Sequence, residues 1–159
     1  MSESLELAIS GATQSALEMT AFFFADPGAP DDSAGEARPE PFTATVTFDG
    51  AHRGALSIEF PARLLPALAA NVLGEEEVTD EATQRDALGE LANIVCGNVL
   101  PAIDVHGKYS LGSPAVAAGT LPPADPDAVR VARADLQIEG ERVRTALWLH
   151  APGTPARAA

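Results

Sequence analysis

The order of apolar and polar side chains divides the chain into elements before any other property is considered. Leu5, Leu7, Ile9, Ala12, Ala16, Leu17 and Met19 recur close to helical spacing and run into Phe22-Phe23-Phe24. The pattern predicts an amphipathic helix over 3–24 that becomes buried all round near its end. Asp26-Pro27-Gly28 stops it, and the stretch 25–41, with four prolines, two glycines and several acids, reads as a flexible loop. From Phe42 the period changes to two. Phe42, Ala44, Val46 and Phe48 alternate with Thr43, Thr45 and Thr47, the signature of a half-buried strand. Asp49-Gly50 begins a turn, and 54–60 returns as the second strand of a hairpin.

Pro61 suits the first turn of a short helix carrying Leu64, Leu65, Leu68, Val72 and Leu73, which Gly74 closes. The solvated linker Glu75-Glu76-Glu77 leads to Thr79 or Asp80. Either can cap a long helix reaching about Leu100, where Pro101 kinks or ends it. Three further strands are expected at about 108–118, 128–139 and 141–150, the last two joined by a Gly-first turn at Gly140-Glu141. Residues 151–159 carry no bulky apolar group and are expected to form a disordered tail. The order is α-ββ-αα-βββ. Hairpins rather than β-α-β units predict one α+β domain over 1–150, with an antiparallel or mixed sheet covered by helices.

Composition narrows the partners. Ten Lys and Arg against 23 Asp and Glu give a net charge of −13, which repels phosphate backbones and anionic lipid, so neither nucleic acid nor membrane is expected as a partner. No apolar run approaches the ~18 residues of a membrane span. The N-terminus lacks the basic and then apolar segments of a secretory signal, and a cytoplasmic location is expected. Cys96 is the single cysteine, so no intrachain disulfide can form. Nothing beside it lowers a thiol pKa, and a small residue packed on the side of a helix is the simpler reading. His52, His106 and His150 are scattered and make no ligand set. Trp148 and Tyr109 sit in strand-like segments, where packing is the default role. No GxxxxGK[ST] loop, strand-following GxGxxG or HExxH helix is present.

Chemistry concentrates on the long helix. At ~100° per residue from Asp86, Leu88, Leu91, Val95 and Val99 fall within roughly 40° of the far side. Asp86, Glu90, Asn93 and Gly97 fall within roughly 40° of the near side. The apolar stripe must face the sheet, which turns the acid, acid, carboxamide and glycine outward. A solvated surface is the default for such a face. Asn and Gly, however, cost roughly 0.5–1 kcal/mol each relative to Ala in a helix, and a plain solvated face does not need them. Gly97 also leaves a bare patch on which another backbone could lie.

The run Asp86-Ala87-Leu88-Gly89-Glu90-Leu91-Ala92-Asn93-Ile94-Val95-Cys96-Gly97-Asn98 resembles the phosphatase helix of the CheX/CheC family of chemotaxis phosphatases. That family's signature is Asp or Ser, three residues, Glu, two residues, Asn, and a Pro about twenty residues later. Asp86, Glu90 and Asn93 fit the first three places, and Pro114 follows Asn93 after 20 intervening residues. The resemblance covers about 5–150, strongly at 80–100. On the first helix the corresponding stretch keeps Glu18 but has Ala21 where an Asn is needed, so one intact copy is present, as in CheX.

The resemblance implies a phosphatase acting on the aspartyl-phosphate of a CheY-type receiver. Asn93 would orient the attacking water and Glu90 would pair with the receiver's active-site lysine. Gly97 would belong to the docking surface, Asp86 would either form hydrogen bonds at its edge or simply favour the N-terminal part of the helix through the dipole, and Pro114 would shape a strand or turn beside the helix. It further implies a homodimer and no cofactor or metal on this chain, the Mg²⁺ belonging to the receiver. A non-catalytic module that binds a receiver or sits in a flagellar-switch assembly is the alternative.

Overall fold

The computed structural model describes residues 2–29, 39–120 and 126–151. Three α-helices, α1 (Ser2–Ala21), α2 (Leu65–Leu73) and α3 (Glu81–Ile103), pack with seven strands. The strands are β1 (Asp26–Pro27), β2 (Phe42–Gly50), β3 (Gly54–Phe60), β4 (Tyr109–Leu111), β5 (Ala115–Ala118), β6 (Val129–Ile138) and β7 (Glu141–Leu149). All pair antiparallel in one sheet of order β1-β6-β7-β3-β2-β4, with β5 also on β2. This is the expected α+β class.

The register decides which face is buried. Val46, Leu56, Leu147 and Ala132 are aligned across four strands, as are Ala44, Ile58 and Thr145 across three. Paired residues point to the same side of a sheet. That side meets Leu5, Ile9, Ala16 and Leu17 of α1 and Leu88, Leu91, Val95 and Val99 of α3 in one core. Both long helices therefore cover the same face, α1 over β6 and β7 and α3 over β2 and β3. Between α1 and β7 the buried Thr13 hydroxyl lies 2.9 Å from that of Thr145 and donates to the Ile9 carbonyl, so the pair is buried without an orphaned donor.

Several boundaries differ from the sequence reading. α1 ends at Ala21, because Phe22 adopts φ 56°, in the left-handed region, and the Phe23 N–H donates to the Leu17 carbonyl. That stop rotates the aromatic triplet. Phe23 alone packs inward, its ring centroid 6.3 Å from that of Phe60, while Phe22 and Phe24 are 68% and 75% exposed. The helix end is thus not buried all round. Within the expected loop, Asp26–Pro27 forms β1 on the edge of β6, while 30–38 and the tail residues 152–159 lie outside the described residues.

The expected strand 108–118 is two strands. Between Leu111, paired with Phe48, and Ala115, paired with Thr45, three residues oppose two, and Pro114 has no N–H for the ladder. The last hairpin turns on Glu139 and Gly140, at φ 51° and 78°, with Ile138 paired to Glu141. Two positive φ values are what a type I′ turn requires, so the turn lies one residue earlier than Gly140-Glu141. α3 also continues past Leu100 to Ile103 with Pro101 inside it.

Candidate functional site

α3 presents the site, and its start is defined chemically. Asp80 is the N-cap: its carboxylate accepts from the Thr83 N–H at 3.1 Å and the Thr83 hydroxyl at 2.6 Å. The Thr83 hydroxyl, and then the Thr83 N–H, hold the Asp80 carboxyl below the usual carboxylate range. From this cap Ala87, Leu88, Leu91, Ala92, Val95, Cys96, Val99 and Leu100 all turn into the core. With one face committed to the sheet, the opposite face has no freedom but to point out.

Asp86, Glu90 and Gly97 are exposed and Asn93 is half-buried, so the four predicted residues lie on one continuous stripe. Glu90 and Asn93, three apart, are neighbours on a helix surface, with about 5–6 Å between Cβ atoms. No hydrogen bond or ion pair among the described residues engages the Glu90 carboxylate. The Asn93 carboxamide oxygen is shielded from solvent and has no hydrogen-bond partner within the described chain. No internal hydrogen bond therefore fixes that side chain, and rotation about its terminal torsion can present either the oxygen or the NH₂ outward. A Cβ built on Gly97 would meet nothing within 4 Å, so the bare patch read from the sequence is present. Asn98 faces solvent on the flank.

Two supporting contacts were not legible in the sequence. Gly89, next to Glu90, is buried against Pro114: a Cβ there would lie 3.1 Å from the proline Cγ and 3.2 Å from its Cβ. Pro114 stands in the break between β4 and β5, so the missing N–H and the missing side chain meet at one point. That close approach seats α3 on the sheet edge at Gly89, the residue before Glu90. Arg85 stacks its guanidinium 5.0 Å above the Phe42 ring and pairs with Glu81 at 2.8 Å, tying the helix side before Asp86 to the start of β2. The resemblance placed Pro114 beside the helix, and an unexplained glycine inside the helix was a second signal for the first contact, but neither named Gly89 as its partner. No signal marked the second.

Other candidates fall away. Cys96 is 1% exposed, and burial pushes its thiol up to about 12, which removes it as a nucleophile. On α1, Glu18 is exposed but Ala21 is wholly buried, so this helix shows no second Glu-x-x-Asn pair. Among the described residues no group of three or more His, Cys, Asp and Glu is placed to hold a metal ion, and no helix is long and apolar enough to cross a membrane.

The family model for the chemotaxis phosphatase CheX matches residues 42–131, a span that includes the whole Asp86–Asn98 run and Pro114. No curated protein sequence matches. Among solved structures, a chemotaxis protein CheX from Desulfovibrio desulfuricans superposes with a TM-score of 0.72 at 18% identity, covering 92% of this chain and 99% of that one. CheX from Vibrio vulnificus gives 0.70 at 18% identity, covering 92% and 96%. CheX from Borrelia burgdorferi, solved as a complex with CheY, BeF₃ and Mg²⁺, gives 0.66 at 16% identity, covering 91% and 97%. At such identities these structures speak for the fold. The family model carries the rest: matched across more than half its length, the chain belongs to the CheX family of chemotaxis phosphatases.

Proposed function

We propose that this protein hydrolyses the aspartyl-phosphate of a CheY-type receiver, with Asn93 orienting the attacking water and Glu90 docking to the receiver's lysine. The observation that carries the reading is the exposed Glu90 one turn before Asn93, on a helix whose other face is locked into the core. A phosphorylated receiver brings its own Mg²⁺ and lysine, so the substrate already holds most of the electrostatic help a transferring phosphoryl group needs. What remains is to hold one water in line with the carboxylate leaving group. A carboxamide suits that task because it donates and accepts hydrogen bonds and stays neutral beside phosphate.

Glu90 supplies register. Its carboxylate is not engaged within the described chain and is available to an ammonium group on the partner, and that pair loses water as the surfaces close. A closed pair of this kind contributes more than the ~0–1 kcal/mol of an exposed bridge. Asp86 lies at the edge of the same contact. The Mg²⁺ enters with the substrate, and this chain holds no metal or cofactor of its own. The protein works in the cytoplasm as a homodimer, a state that sedimentation at micromolar concentration would reveal.

Phosphate release from an acyl-phosphorylated receiver tests the assignment. The wild type should accelerate release, and Asn93→Ala should lower the catalytic constant by about 100-fold or more, as loss of a transition-state contact does, while still binding the receiver. Glu90→Ala should instead raise KM by roughly 10- to 100-fold, the cost of one charge-assisted hydrogen bond. Wild-type protein that binds the receiver but releases phosphate no faster than buffer would establish the non-catalytic module in place of the enzyme.

A further inference from the structure

We propose that the Gly97 carbonyl oxygen is a further contact on the docking face, an acceptor held open by Pro101 for an N–H donor on the receiver. The inference rests on the phosphatase reading above; it gives Gly97, already on the docking face, a specific atom and adds Pro101 as the residue that frees it. In an α-helix the carbonyl of residue i accepts from the N–H of residue i+4. For Gly97 that residue is Pro101, which has no N–H. The helix nevertheless continues to Ile103 and is capped by Asp104, whose N–H donates to the Leu100 carbonyl at 3.2 Å. The lost bond is thus inside the helix, and Pro101 does not serve as its terminator.

Place and exposure make that oxygen usable. On the helical wheel Gly97 falls about 20° and Pro101 about 60° from Asp86, the same side as Glu90 and Asn93. Both residues are exposed, and apart from the adjacent backbone of its own helix no atom stands within 4 Å of where a Gly97 side chain would begin. A proline ring crowds the carbonyl four residues before it and tilts that carbonyl away from the helix axis. The stripe therefore reads carboxylate, carboxamide, backbone oxygen, the last about 6 Å along the axis beyond Asn93. Neither residue fills core space, and each lowers helix stability. Together they strip one carbonyl of its internal donor and leave the helix surface beside it bare at Gly97. A receiver backbone or side-chain N–H approaching Asn93 meets that oxygen next.

The test uses the full chain and a CheY-type receiver loaded with Mg²⁺ and beryllofluoride, a stable stand-in for the acyl phosphate. Pro101→Ala restores the internal N–H and closes the Gly97 acceptor. Its melting temperature should rise by about 2–4 °C, while Kd for the loaded receiver weakens by roughly 3- to 10-fold, the worth of one hydrogen bond. The loss should appear in Kd and KM rather than in the catalytic constant. Gly97→Ala, which places a methyl in the contact, should also melt higher and bind more weakly. A purely structural role for either residue would not move stability and affinity in opposite directions. Wild-type binding with an unchanged Kd for Pro101→Ala overturns this inference and leaves the phosphatase reading standing. A lower catalytic constant at unchanged Kd overturns it too, assigning the proline to the setting of Asn93. A wild type that does not bind the loaded receiver sinks both.

Discussion

In the proposed reaction Asn93 and Glu90 would take different parts, because their side chains differ in charge and in what holds them. The carboxamide is half-buried, with an oxygen that no partner fixes, while the carboxylate stands in water one turn away. Each is placed by neighbours that do no chemistry. Asp80 sets where the helix begins, and Leu88, Leu91 and Val95 set its phase. Single residues can also be strained without a role at the site. Glu139 sits at φ 51° in the β6–β7 turn, where a residue with a Cβ other than Asn or Asp is poorly tolerated. Replacing it by Asn should stabilise the fold by about 0.5–1 kcal/mol in urea titration, with receiver binding unchanged.

The glycines of α3 show that the meaning of a residue type is decided by the element around it. Gly97 looks into open space, and Gly89 touches the Pro114 ring. Alanine at 97 should gain about 0.5–1 kcal/mol of stability through helix propensity alone. Alanine at 89 adds the same methyl but presses it into a proline that is itself wedged in the strand break. The expected result is a loss of about 1–2 kcal/mol by denaturant unfolding, because the overpacking outweighs the propensity gain. Equal gains for both would show that the edge of the sheet yields freely and does not seat the helix.

At the scale of the molecule, the two layers separate the functions. One sheet face and the inner stripes of α1 and α3 form the core, which leaves the outer stripe of α3 free for a partner. The opposite sheet face carries an ion-pair cluster in which Arg144 donates to Asp135 at 2.7 Å and Arg133 stands 3.9 Å away. Burial raises the Asp135 carboxyl, but the Arg144 hydrogen bond and the charges of Arg144, Arg133 and Arg142 outweigh it and hold the carboxyl below its ordinary value. A carboxylate lowered on folding stabilises the fold above its unfolded pKa, near 3.9, and that share is lost as pH falls through the lower folded value. Asp135→Asn should therefore melt earlier than wild type at pH 6, with the two converging as pH falls through the lowered folded value. A constant difference across that range would mean the cluster contributes through packing alone.

Periodicity along the chain was enough for the α+β class, the three helices, both hairpins and the polar stripe of Asp86, Glu90, Asn93 and Gly97, because amphipathic phase is a property of neighbouring residues. The same local information placed the end of α1 three residues too late and merged β4 with β5. Whether Phe22 enters a left-handed turn, or Pro114 breaks a ladder, depends on partners far away in sequence. The packing of Pro114 against Gly89, the stacking of Arg85 on Phe42 and the shielding of the Asn93 oxygen belong to the same class. They follow from where the sheet edge comes to rest against the helix, a position set by the whole core rather than by any one segment.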